Sequence, residues 1–253
     1  MEHPHKPMIE NIEAIFLDIG NTLRILLKDE PYRTEARRKI VSLLGTAEQP
    51  EEFVAELDRR YKEYRKWAFT HLTEATEVEL WTRWLAPEYP AKRVAMLAHE
   101  LTYQFRQSMG RRVMAEGCVE VITKLHARGY TLGIISNVIT TEEIPDWLER
   151  ENLTRHFKSV VLSSTFGKRK PDPAIYAEAA RQAEIVPAKC AYVGDNFSRD
   201  VSGTRAAGFG MVIIMPDPSD RDEPVPDEHQ PDLVIHGLAE LLDHFPGLNG
   251  HKG

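Results

Sequence analysis

A chain of 253 residues that is 42% apolar and 28% charged has ordinary globular composition, with enough core for one large domain or two modest ones. Its formal charge of -7 argues against general nucleic-acid binding, and its one basic cluster, Lys168, Arg169 and Lys170, suits a small anion rather than a duplex. No apolar run approaches the ~18 to 20 residues that span a bilayer, the opening MEHPHKPMIENIE lacks a signal-peptide core, and Cys118 and Cys190 stand in no disulfide or zinc spacing, so two buried thiols and a cytoplasmic address are expected.

The first predicted element is a strand, AIFLD over 14–18, which closes on Asp18 and runs into the turn-forming residues Gly20, Asn21 and Thr22. From about Lys28 to Met114 follow Arg, Lys, Glu, Leu and Trp at helical spacing, as in EEFVAELDRRYKEYRKWAF, with no convincing strand. This stretch is expected to be a helical insert. Its Trp67, Trp81 and Trp84, with Tyr61, Tyr64 and Phe69, are expected in the insert's own core, an aromatic substrate pocket being the alternative. A helix over 117–129 carries Val119, Ile122 and Leu125 on one stripe and ends at Gly129. Strands TLGIIS (131–136) and SVVLSS (159–164) come next. A helix over 172–183 follows, with Asp172 as its cap and Pro173 at its first position. Strand CAYVGD (190–195) then leads to a helix capped by Ser198 and ending at Gly208. The last strands are MVIIM (211–215) and LVIH (233–236). Between them PDPSDRDEPVPDEHQP (216–231), with five prolines and six acids, is expected to be a surface loop. Continuous apolar strands alternating with helices indicate a parallel sheet covered on both faces. The fold expected is α/β, a Rossmann-like three-layer core from 1–27 and 113–253 with an all-helical subdomain over 28–112.

In an open parallel sheet, ligands bind outside the carboxyl ends of the strands. Asp18, Ser136 with Asn137, and Asp195 close three of the predicted strands, and Lys170 follows a fourth. Two carboxylates, a hydroxyl, nearby amides and an ammonium then meet on one edge. The carboxylates repel unless a cation lies between them, and oxygen donors select magnesium.

LDIGNTL, IISN, GKRKPDP and YVGDNFSRD resemble, in order, the four motifs of the haloacid dehalogenase superfamily. AAGFGMVII and DLVIHGLAELL are similar to its usual continuation, and an insert between the first two motifs resembles its α-helical cap. Alone, an acid at a strand end is often only a turn former; four motifs in order favour a site. The resemblance implies a magnesium-dependent phosphohydrolase that acts on a small phosphorylated metabolite, as a monomer or homodimer. Asp18 would attack phosphorus and form an aspartyl phosphate. Asp18, the carbonyl of Gly20 and Asp195 would hold Mg2+, while Ser136 and the Asn137 amide take the phosphoryl oxygens and Lys170 neutralises developing charge. Thr22 would shape the loop after Asp18. Asp200 would orient Lys170 or a bound water, or serve only the dipole of its helix.

One position departs from the pattern. Most phosphatases of the superfamily carry a second Asp two residues after the nucleophile, where it acts as general acid and base, and here that residue is Gly20. Such help is worth ~10² to 10⁴ in rate. Three explanations compete: a phosphatase whose proton comes from water, a cap residue or a good leaving group; a hydrolytic 2-haloacid-type dehalogenase; or a catalytically weakened binding protein. Retention of Gly-Asp in the fourth motif favours the first. Arg24 and His71 are conceivable anion or proton partners above the site, and the 216–231 loop could restrict entry.

Overall fold

The computed structural model describes residues 11–217 and 225–248. Strand β1 (Ala14–Leu17) is buried at every position, as an all-apolar strand between two helical layers must be. The chain turns back at once into β2 (Arg24–Leu27), whose antiparallel partner β3 (Arg111–Met114) returns it to the core. Between these two strands lie α1 (Glu30–Leu44), α2 (Pro50–His71), α3 (Glu77–Glu79) continuing as a π-helical turn over Leu80–Leu85, and α4 (Ala91–Met109). The local signals explain their ends. Asp29 caps α1 by accepting from the Tyr32 amide at 3.2 Å, Gly45 closes it at φ 68°, and Pro50 opens α2.

These helices bury a core of their own that includes Ile40, Leu57, Tyr64, Trp81, Leu101 and Phe105. The aromatic set is therefore mainly packing: Trp67, Trp84 and Tyr61 lie against that core, while Phe69 is exposed beneath the guanidinium of Arg169. The expectation of a strand-free insert needs correction, because β3 lies at 111–114. Neither RILL nor RRVM alternates between apolar and polar residues, and their pairing depends on each other rather than on a local pattern.

The rest of the chain is α5 (Cys118–Ala127), β4 (Thr131–Ser136), α6 (Glu143–Arg150), β5 (Phe157–Leu162), α7 (Ser163–Phe166), α8 (Pro173–Ala183), β6 (Cys190–Gly194), α9 (Phe197–Ala206), β7 (Met211–Ile214), β8 (Leu233–Val234) and α10 (Leu241–His244). Six strands form one parallel sheet in the order β5-β4-β1-β6-β7-β8. Alternate side chains of β1 divide the layers. Ile15 and Leu17 pack in the cluster that holds Val121 and Leu125 of α5 and Trp147 of α6, whereas Ala14 and Phe16 pack with Ile175 and Tyr176 of α8 and Val201 of α9. A one-residue slip would exchange these faces, so the register is fixed.

Asp172 caps α8 as expected, accepting from the Ala174 amide at 2.9 Å. The cap of α9 is Asn196 and not Ser198: the Asn196 side chain accepts from the Arg199 amide at 2.8 Å, and Ser198 already lies inside the first turn. Helix α6, EIPDWLER, had no place among the predicted elements: Ile144, Trp147 and Leu148 do share one face, but 8 residues with Pro145 in the first turn are too few to mark a helix locally. Of the 216–231 segment, 218–224 lie outside the described residues; the described part includes a 3-10 turn at Asp227–His229. Among the described residues no helix is long and apolar enough to cross a membrane.

Candidate active site

β1 is the central strand from which the chain runs to β4 on one side and β6 on the other, the topological switch where open parallel sheets bind ligands. Asp18 follows it directly and is buried. Its Oδ1 accepts from the Ser136 hydroxyl at 2.8 Å and from the Ile19 amide at 2.7 Å, and its Oδ2 accepts from Lys170 Nζ at 2.6 Å. Lys170 is 0% exposed, a burial that an ammonium tolerates only when paired and hydrogen-bonded. Asp200 Oδ1 lies 3.3 Å from Nζ, and Nζ donates to the Tyr192 hydroxyl at 2.5 Å. The side chain of Asn137 clasps the lysine's backbone: Nδ2 donates to the Lys170 carbonyl at 3.0 Å, and the Lys170 amide donates to Oδ1 at 2.8 Å. Two distant sequence segments are thereby locked at the same strand edge.

Asp195 and Asp200 approach from the loop after β6 and the first turn of α9. The carboxylate oxygens of Asp18, Asp195 and Asp200 lie within 4.8 Å of one another. Gly194 makes room for this, since a Cβ there would meet Asp200 Oδ2 at 2.4 Å. Burial, and then the charge of Asp18, push the Asp195 carboxyl above its ordinary pKa, the mark of like charges crowded together. Burial alone would raise Asp200 as well, but Lys170 and Arg199 outweigh it and hold that carboxyl down at about 2. An all-oxygen, net-anionic donor set fits a hard divalent cation such as Mg2+.

Arg199 was not anticipated. Its Nη2 donates to Asp195 Oδ1 at 2.8 Å and approaches Asp18 Oδ2 at 3.4 Å, and its Nε donates to Asp200 Oδ1 at 2.9 Å. The available signal was its place in the fourth motif, one residue before Asp200. Asn21 also reaches the group, donating to Asp195 Oδ2 at 3.0 Å. Thr22 is fully buried in the turn, its Oγ1 without a hydrogen-bond partner among the described residues. Cys118 and Cys190 are free and buried, and burial pushes both thiols up to about 12.

A cavity of about 180 Å³ opens beside this group, lined by Gly20, Ser136 and Asn137 and by Arg24, Arg106 and Arg112. No atom lies within 4 Å of where a Gly20 Cβ would stand, so lack of space does not account for the missing acid. Arg24 lines the cavity. His71 does not; it is exposed and stacked on Trp67 at 5.2 Å.

Behind the cavity Glu143 accepts from Arg24 Nη1 at 3.0 Å and Arg106 Nε at 2.8 Å. Burial would raise this carboxyl, but Arg106, Arg112 and Arg24 prevail and hold it down at about 2. A depressed folded pKa stabilises the protein above the unfolded value of ~4.3, and that stability is lost as pH falls through the folded value. Urea midpoints of the parent and Glu143→Gln are therefore expected to differ most near neutrality. The difference should shrink between about pH 4.5 and about pH 2.

The haloacid dehalogenase-like hydrolase family matches residues 54–214. The chain belongs to that family. The matched segment begins within α2, so β1 and Asp18 lie outside it and are tied to the site by geometry. Haloacid dehalogenase-like hydrolase domain-containing protein 3 of Bos taurus is 34% identical over 160 residues, and the match spans 62% of this chain and 62% of that protein. Glyceraldehyde 3-phosphate phosphatase of Methanopyrus kandleri is 28% identical over 239 residues, covering 92% of this chain and 96% of that protein. Among solved structures, 2-haloacid dehalogenase from Pseudomonas syringae pv. Tomato DC3000 superposes with a TM-score of 0.67 at 23% identity, covering 92% of this chain and 97% of the other. At that identity the likeness speaks for the fold of the family, α/β with a parallel sheet and helices on both faces.

Proposed function

We propose that the protein is a magnesium-dependent phosphohydrolase that cleaves a small phosphate ester through an aspartyl phosphate on Asp18. The observation that carries this reading is a buried carboxylate held between a hydroxyl and an ammonium, with two further carboxylates within 4.8 Å of it. The names of similar proteins, among them phosphatases of glyceraldehyde 3-phosphate, phosphoserine and phosphoglycolate, support it.

Asp18 is oriented for attack because Ser136, Ile19 and Lys170 fix both its oxygens. Its Oδ forms a bond to phosphorus as the bond to the leaving oxygen breaks. The Ser136 hydroxyl, turning from Asp18 to the substrate as it binds, and the Asn137 backbone amide hold the phosphoryl oxygens, and Lys170 balances the charge that develops on them. Magnesium, held by Asp18, the Gly20 carbonyl and Asp195, would offset repulsion between anionic nucleophile and anionic substrate. Asp200 pairs with Lys170 and holds it in place. Water then attacks phosphorus, freeing Asp18 and inorganic phosphate. No carboxyl group stands at position 20, and Glu143 is held ionised by its arginines, so neither protonates the leaving oxygen. Esters with good leaving groups gain most from this arrangement. The helices of 28–112 form the cap, closing over the site to exclude water and select substrates.

A dehalogenase, which needs no metal, would leave Asp195 without a task. Phosphate release from sugar, acyl, aryl and nucleotide phosphates, assayed with magnesium and with chelator, is expected to be magnesium-dependent, and 2-haloacids should yield no chloride. Phosphate release at the same rate in chelator overturns the mechanism.

A further inference from the structure

The cavity beside Gly20 is more basic than phosphoryl transfer at Asp18 requires. Arg24 comes from β2, Arg106 from the last turn of α4 and Arg112 from β3. All three converge on one carboxylate, Glu143, with Arg24 Nη1 at 3.0 Å, Arg106 Nε at 2.8 Å and Arg112 Nε at 4.0 Å. Three guanidinium groups thus share one buried counter-charge. Arg24 is only 7% exposed, and its Nε is buried with no hydrogen-bond partner. Burial, and then repulsion from Arg106, lower Arg112 to about 9. Three largely buried cationic side chains with one carboxylate between them, lining a cavity, are costly unless a further anion offsets their charge.

The position of the cavity says what that anion belongs to. Gly20, Ser136 and Asn137, the residues beside the phosphoryl position, share its lining with the arginines, so one short molecule can touch both sets. At about 180 Å³ it is smaller than the roughly 300–1,000 Å³ of sites for drug-sized ligands, which limits the molecule to a few carbons. Arginine forks match the paired oxygens of carboxylate and phosphoryl groups better than they match hydroxyls.

We propose that Arg24, Arg106 and Arg112 form the subsite for a second anionic group of the substrate, a carboxylate or a second phosphoryl group, and so select short, doubly anionic phosphate esters over neutral ones. This rests on the phosphohydrolase reading and adds the substrate class to it. The three arginines come from the strand that leaves the core, the last helix of the insert and the strand that returns, so the subsite exists only when these elements are assembled.

Calorimetric titration of Asp18→Asn protein in magnesium separates binding from turnover. The ligands are 2-phosphoglycolate, ethane-1,2-diol bisphosphate and 2-hydroxyethyl phosphate, which share a two-carbon frame and differ in the distal group. At least one dianionic ligand is expected to bind ~10-fold or more tightly than the hydroxyl ligand, the span of one charge-assisted hydrogen bond. The tighter of the two identifies the distal anion. Adding Arg112→Gln, which removes a repelled charge and leaves the Arg24 and Arg106 pairs to Glu143, should bring the ratio towards one, as should Arg24→Gln. Equal affinity for all three ligands, or a preference that survives both substitutions, overturns the subsite. If that happens while the parent enzyme still releases phosphate from p-nitrophenyl phosphate, the phosphohydrolase reading stands alone. No binding of any ligand together with no phosphate release removes both.

Discussion

Asp18→Asn is expected to lower phosphate release by ~10⁴-fold or more while leaving the fold intact, the scale seen when a nucleophile that works as part of a unit is removed. The amide is isosteric but cannot supply an anionic oxygen to phosphorus. Its oxygen can still accept from Lys170 and its amino group can donate to the Ser136 hydroxyl, so both neighbours keep a partner. The Ile19 amide alone loses its acceptor. Asp195 loses a repelling neighbour, which offsets part of that cost. Steady-state phosphate release and a thermal melt on the same preparation check both halves. Activity within about 10-fold of the parent would place the nucleophile elsewhere.

How much of this site the sequence could show depends on how each residue reaches it. Asp18, Ser136, Asn137 and Asp195 were readable because each ends a strand, and strand direction alone decides which end of a parallel sheet a residue occupies. Lys170 was readable from its motif, but its complete burial against Tyr192 was not: Tyr192 is one apolar strand residue among several until the sheet order puts it beneath the ammonium. Asn137 was expected to act through its backbone amide, and its side chain turned out to clasp Lys170, a contact across 33 residues. Arg199 sat in plain view beside Asp200 and carries no local sign of which carboxylates it will face. Glu143, Arg106 and Arg112 were beyond reach for a further reason. They lie on α6, α4 and β3, of which α6 and β3 are only 8 and 4 residues long, too short to stand out, and nothing local brings the three side chains together.

Glu74→Ala is expected to be the most destabilising single change in the interface between the helical insert and the sheet. Glu74 follows α2 and is 5% exposed. It accepts from the Tyr64 hydroxyl within the insert, from the Ser163 hydroxyl at the start of α7 at 2.6 Å, and from the guanidinium of Arg169, the residue next to Lys170. The backbone reinforces the join: the Glu74 amide donates to the Gly167 carbonyl at 3.0 Å and the Arg169 amide to the Leu72 carbonyl at 3.1 Å. Removing the carboxylate leaves Arg169, 6% exposed, as a buried charge without its counter-ion. Breaking a buried pair in this way costs about 3–5 kcal/mol, a fall in Tm of roughly 6–20 °C for a chain of this size. Activity should fall as well, because the loop that presents Lys170 loses its anchor on the insert. If the uncompensated charge is the main cost, Glu74→Ala with Arg169→Met should regain much of the lost stability, since a buried pair replaced by apolar side chains is often neutral. A double variant no more stable than Glu74→Ala would assign the loss to the hydroxyls of Tyr64 and Ser163 instead. Kinetics on the double variant then separate the two duties of Glu74, because restored stability without restored turnover means that Arg169 itself holds the lysine loop in register with Asp18.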